Sequence, residues 1–136
     1  MKSALNQSPL PPLHTSPTLY LYQVEGAKRQ QIERLAATID IKVCHVMPCD
    51  YLQPLGALLG LPGFDRLPMR YGGPLLPHEM MVFSGFDDTL LSRFLSRYRQ
   101  TNIAPIPLKA GVTPNNLFWD TLQLHRELAE EHRRLG

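Results

Sequence analysis

A chain of 136 residues suits one domain with a buried core, and its 43% apolar and 19% charged content are globular values. The formal net charge of +2 is small, and the arginines and lysines are scattered rather than run together with aromatics. Both features argue against nucleic acid or an anionic membrane as a partner. No apolar run reaches the roughly 20 residues of a membrane span.

The opening "MKSALNQSPLPPLHTSP" has a single lysine and no continuous apolar stretch, unlike a secretory signal. Its prolines and serines predict a flexible, disordered N-terminal tail over residues 1–17, with a single α/β domain over 18–136. Two cysteines and no export signal give the expectation of a cytoplasmic, reduced protein.

"TLYLYQV" (18–24) is aromatic and apolar on both parities, as a strand covered on both faces should be. In "EGAKRQQIERLAATI", Ile32, Leu35, Ala36 and Ile39 form a stripe at helical spacing. "DIKVCHVM" reads as a second strand. In "CDYLQPLGALLGLPG", Asp50 can cap a helix and Gly60 or Gly63 can stop it, while Pro54 and Gly56 keep it short. Residues 61–77 are dense in Pro and Gly without periodicity, and predict an ordered cover or a substrate lid.

"EMMVFSGF" is the third strand. The clearest helix follows: Asp87 and Asp88 open it, and Leu90, Leu91, Phe94, Leu95 and Tyr98 share a face. "IAPIPLK" (103–109) reads as a fourth strand. Pro105 and Pro107 share parity, so one side of this strand cannot form a ladder and the strand must lie at an edge. The last helix is expected from Thr113, with Pro114 at its first position, to about Arg134.

The alternation predicts a small four-stranded, mainly parallel α/β sheet in the order 2-1-3-4, with helices on both faces. Its ligand end should lie where the winding reverses, at the loops leaving strands one and three, Gln23–Gly26 and Ser84–Asp87. Parallel third and fourth strands would bring Ser84 and Gly85 to Lys109 on one rim, near two helix N-termini. Ser84, Gly85, Asp87, Lys109, Thr113, Asn116 and Trp119 are therefore the candidate ligand-binding residues, for a small anionic ligand such as a phosphate or carboxylate.

A serine-glycine after one strand and a lysine ending the next resemble the second half of a response-regulator receiver domain, over Met80 to about Glu131. The first strand lacks the acidic pair that family uses for magnesium, and no strand ends on a phosphate-accepting aspartate. A wider resemblance is carried by "EMMVFSGF", "IPLKAGVTPNN" with Trp119, "LHRELAEEH" and "YLQPLGALLGLPGF". These segments are similar to an uncharacterised bacterial family, domain of unknown function 3783, over about Leu19 to His132. The resemblance implies a small cytoplasmic bacterial protein and conveys no activity.

Other constellations are weaker. Cys44, His45 and Cys49 lack the second pair a structural zinc needs, with His78 as a distant recruit. His125 and His132 lie seven apart, not the four of a metalloprotease helix. Tyr71-Gly72-Gly73 lacks the ending of a phosphate loop, and Tyr20 and Tyr22 read as strand residues. No metal, cofactor or catalytic set is expected. The reading is a non-catalytic regulatory or protein-interaction module, acting through a partner protein or a small anion. Its alternative is a small enzyme for a phosphate- or carboxylate-bearing substrate, with Lys109 and Ser84 at the site. Exposed parts of the last helix are a third option, as a self-association surface, and the sequence leaves the oligomeric state open.

Overall fold

The computed structural model describes residues 16–135, so the expected tail falls largely on residues 1–15, outside the described part. The elements run β1 (Thr18–Tyr22), α1 (Gly26–Ala37), β2 (Lys42–Val46), α2 (Leu55–Leu58), β3 (Met80–Ser84), α3 (Asp88–Arg99), β4 (Leu108–Gly111) and α4 (Thr121–Leu135). Single 3-10 turns at Pro48–Asp50 and Asn116–Phe118 precede α2 and α4. The sheet order is β2-β1-β3-β4, as the alternation predicts, with β4 at an edge.

Alternation along each strand divides the core into two layers. Leu19, Leu21, Met81 and Phe83 face α1 and α3, where Ile32, Ala36, Phe94 and Tyr98 are buried. Tyr22, Met80, Val82 and Leu108 face the opposite way, under Tyr51, Leu55 and Leu124. Helices therefore cover both faces.

Two of the three pairings are parallel, β1 with β2 and β3 with β4, but β1 and β3 are antiparallel, Thr18 opposite Ser84 and Tyr22 opposite Met80. The physical reason lies in the connection from β2 to β3. A parallel crossover needs a dozen or more residues to carry the chain back across the sheet. Here α2 has four residues and ends in a Schellman motif, Leu61 N–H donating to Gly56 O at 3.0 Å and Gly60 N–H to Ala57 O at 3.1 Å, with Gly60 at φ +75°. The chain then retraces its own path. Phe64 lies over Gly56, Gln53 holds Leu67 through a two-bond fork of 2.9 and 2.6 Å, and Tyr71 N–H donates to Cys49 O at 3.1 Å. Each residue pair sums to the same number, the mark of two antiparallel segments. The chain thus arrives at β3 on the end where it left β2, and β3 must run the other way. Residues 61–77 form an ordered cover.

Two boundaries also move. β4 covers 108–111 and not 103–109, because Pro105 and Pro107 offer no N–H to the ladder and the stretch before Leu108 stays irregular. The last helix starts at Thr121 and not Thr113. Thr113 and Asn116 close on each other, Asn116 Oδ1 accepting from Thr113 N–H at 2.8 Å and Thr113 Oγ1 from Asn116 N–H at 3.1 Å. This caps the 3-10 turn only, and Asp120 caps α4 by accepting from Gln123 N–H at 2.9 Å.

Helix α4 then crosses the strand ends. Thr121 N–H donates to Tyr51 O at 3.0 Å beside the Tyr22 ring of β1. His125 stacks on His78, just before β3, at 5.4 Å and 19°. Leu128, Glu131 and His132 reach Pro107, Leu108 and Lys109 of the β4 end. A helical turn of about 5.4 Å nearly matches a strand spacing of about 4.8 Å, so each successive turn meets the next strand.

Candidate functional site

The antiparallel β1–β3 pairing separates the two loops expected at one switch point. Gln23–Gly26 leaves one end of the sheet, and Ser84–Asp87 leaves the other. β3 and β4 do finish together, and there Phe83, Gly85, Phe86, Asp87, Asp88, Leu91, Gly111 and Val112 line an open cavity of about 500 Å³. Gly85 takes φ +79°, a turn that frees the chain to enter α3, and Asp87 Oδ1 accepts from Leu90 N–H at 2.7 Å. Phe83 and Phe86 wall it, backed by the buried Phe94, with ring centroids 5.2 to 6.3 Å apart. The charge on this rim is that of two carboxylates, Asp87 and Asp88.

Of the expected ligand residues, Gly85 and Asp87 meet on this rim. Ser84 is buried and lines a different cavity with Thr18, Tyr20 and Leu59. Lys109 pairs with Met81, three residues from Ser84 along β3, or about 10 Å. Its Nζ donates to Ile106 O at 2.7 Å, and Lys109 lines a shallow cavity beside Glu131 and His132 of α4. Asn116 is buried and anchors Gly111 O through Nδ2 at 2.8 Å, and Thr113 is occupied by Asn116. Trp119 O accepts from Leu55 N–H at 2.9 Å, which fastens the turn before α4 onto α2. The register shift of β4 accounts for the displaced lysine: the rim falls at Gly111, two residues further on.

The opposite end carries a cluster the sequence does not display. Tyr22, Tyr51 and Tyr71 form a chain of rings 6.4 and 5.8 Å apart. Tyr51 Oη donates to Gln23 Oε1 at 2.5 Å, and Gln23 takes the left-handed φ of 67° that is uncommon outside glycine. Burial pushes the Tyr51 hydroxyl up to about 12, aided by Glu25 and Tyr71, and burial raises Tyr22 further still. His45 Nε2 lies 3.1 Å from Glu25. The three tyrosines are spread from position 22 to 71, so no local spacing signals them.

The exposed apolar side chains are concentrated. Met47 (52% exposed), Leu67, Met69, Leu75 (60%) and Phe118 (71%) lie on the cover or beside it, where the Phe64 and Phe118 rings pack tilted at 5.1 Å, and Leu135 at the end of α4 is the one exception among the described residues. Neither α1 nor α3 exposes a large hydrophobic side chain. Arg70 is exposed on the same segment, and Arg66 pairs with Asp50 at 2.6 Å.

These features define an α/β domain with a mixed four-stranded sheet, one face closed by α1 and α3 and the other by α2, the non-helical cover and α4. Residues 79–135 match the model of the family described as Domain of unknown function (DUF3783), so the resemblance holds from β3 through α4. The upstream similarity at Tyr51–Phe64 lies outside the matched residues. No curated protein and no solved structure matches the chain. No helix among the described residues is long and apolar enough to cross a membrane.

Proposed function

We propose that this is a non-catalytic, regulatory protein-interaction module whose cover, residues 61–77, together with Met47 and Phe118 beside it, is the face a partner protein binds. The observation that carries this reading is that five of the six large exposed apolar side chains among the described residues lie on this surface. Exposed apolar patches rimmed by polar groups are characteristic of interaction sites, and the Tyr71–Cys49 backbone bond and the Gln53 side-chain fork to Leu67 hold this cover in place without burying it. The partner presents apolar side chains flanked by an acidic group, which meets the exposed Arg70. Two free cysteines suit a reducing compartment such as a bacterial cytoplasm. The anion and enzyme readings draw less support, because Lys109 and Ser84 would have to reach one ligand from separate cavities.

A photo-crosslinking residue at Met69 should yield a discrete adduct in the native host, whereas the same residue at Arg93 on α3 should not. The partner identified should bind the purified domain, and Leu67→Ser with Leu75→Ser should weaken that binding about tenfold or more. Equal adducts from both positions, or binding indifferent to the double substitution, would overturn the assignment.

A further inference from the structure

We infer that the edge of β2, unpaired among the described residues, is a self-pairing surface, where a second copy of this chain adds its own β2 antiparallel, in register about Cys44. The two edges of the sheet are treated differently. At β4 the approach is guarded by Pro105 and Pro107, and Lys109 folds its ammonium back to Ile106 O. The β2 edge, Lys42–Val46, has no proline, and Lys42 is its single lysine or arginine.

The direction of its backbone groups is fixed. Lys42 N–H donates to Pro17 O at 3.0 Å, so Lys42, Cys44 and Val46 turn their backbone groups toward β1. Val43 and His45 therefore direct theirs outward. An antiparallel partner centred on Cys44 places Val43 opposite the partner's His45 and His45 opposite the partner's Val43. These are the positions that exchange pairs of hydrogen bonds, four bonds in all by symmetry. Cys44 meets the partner's Cys44 at the two-fold axis, in the non-bonded position where Cα atoms approach to about 4.5 Å. The backbone geometry and the symmetry agree on one register.

Charge agrees as well. Cys44 and Tyr20 line two adjacent cavities on the α2 face. One runs toward Lys42, and the other runs toward Val46, Asp50 and Arg66. The two-fold brings Lys42 of one protomer to the Val46 end of its partner, where the partner's Arg66 already holds the partner's Asp50 at 2.6 Å and Lys42 adds a second cation to that carboxylate. The same ion pair forms twice, on either side of the axis, and Cys44 is exposed at its centre.

Sedimentation over a wide concentration range should show a monomer–dimer equilibrium. His45→Pro removes an outward donor and leaves the β1 ladder intact, and it should weaken the dimer about tenfold or more. Lys42→Glu should weaken it too, and Lys42→Glu with Asp50→Lys should restore it, a test that survives if His45→Pro fails to fold. In a Cys49→Ser background, a short bismaleimide should join two chains through Cys44. A monomer at every concentration overturns the inference. So does a dimer that neither His45→Pro nor the charge reversal affects, or one in which Cys44 does not cross-link.

Discussion

At the residue scale, His125 illustrates how packing sets a titration. It is buried on α4 with its ring against His78, and burial first, then the neighbouring imidazole, pull its pKa below the usual 6.5. The unfolded chain therefore binds a proton at higher pH than the folded one does. This contribution to stability is complete above about pH 6.5 and is lost as the pH falls through the folded value. Denaturant unfolding from pH 8 to 5 should show stability declining toward acid, by no more than about 1.4 kcal/mol per pH unit for one proton. His125→Gln should flatten that slope. An unchanged profile in the variant would assign the decline to other groups. Nothing in the sequence joins His78 to His125, 47 positions apart (125 − 78), so this contact was not legible there. The ligand residues were legible only in part. Gly85 and Asp87 meet because they are sequence neighbours at one strand end, whereas Lys109 depended on where β4 begins.

At the scale of elements, α2 and the cover stand or fall together. A methyl group added at Gly56 would overlap the Phe64 ring, whose ring atoms close to the backbone have little room to swing away. Alanine favours a helix over glycine by about 1 kcal/mol, but overpacking costs about 1–3 kcal/mol and should prevail. Gly56→Ala is expected to lower the unfolding midpoint and speed amide exchange at Leu67 and Tyr71. A gain in stability would show that the ring relocates freely. The element types were legible because Leu, Phe and Tyr repeat at helical spacing in α3, while β1 and β3 are short runs apolar on both parities. The edge position of β4 was legible from two prolines of one parity, even though they precede the strand instead of lying within it. The direction of β3 was not, because it follows from three contacts between segments, at positions 49 and 71, 53 and 67, and 56 and 64, each a tertiary choice.

At the scale of the whole molecule, strand order and the parallel β3–β4 pair emerged from the sequence, the antiparallel β1–β3 pair did not, and the expected anion site came apart on the register of β4. With β3 reversed, the sheet has two working ends. One is an aromatic and acidic rim at Gly85 and Gly111, and the other is a tyrosine cluster beneath the cover. Lys28 braces the latter end, its Nζ 2.5 Å from Glu79 and 3.2 Å from Pro105 O, so α1, the entry to β3 and the approach to β4 share one cation.

The family match begins at Glu79, one residue ahead of a strand that is buried throughout and hydrogen-bonded on both sides. A polypeptide of residues 79–135 would leave one flank of β3 bare and its apolar side chains wet, and it should remain unstructured alone. Mixed with a second polypeptide of residues 1–78, it should regain native circular dichroism by fragment complementation, with β1 supplying the missing flank. If the shorter piece folded unaided, the seam between β1 and β3 would be a docking of two autonomous units and not the middle of one cooperative structure.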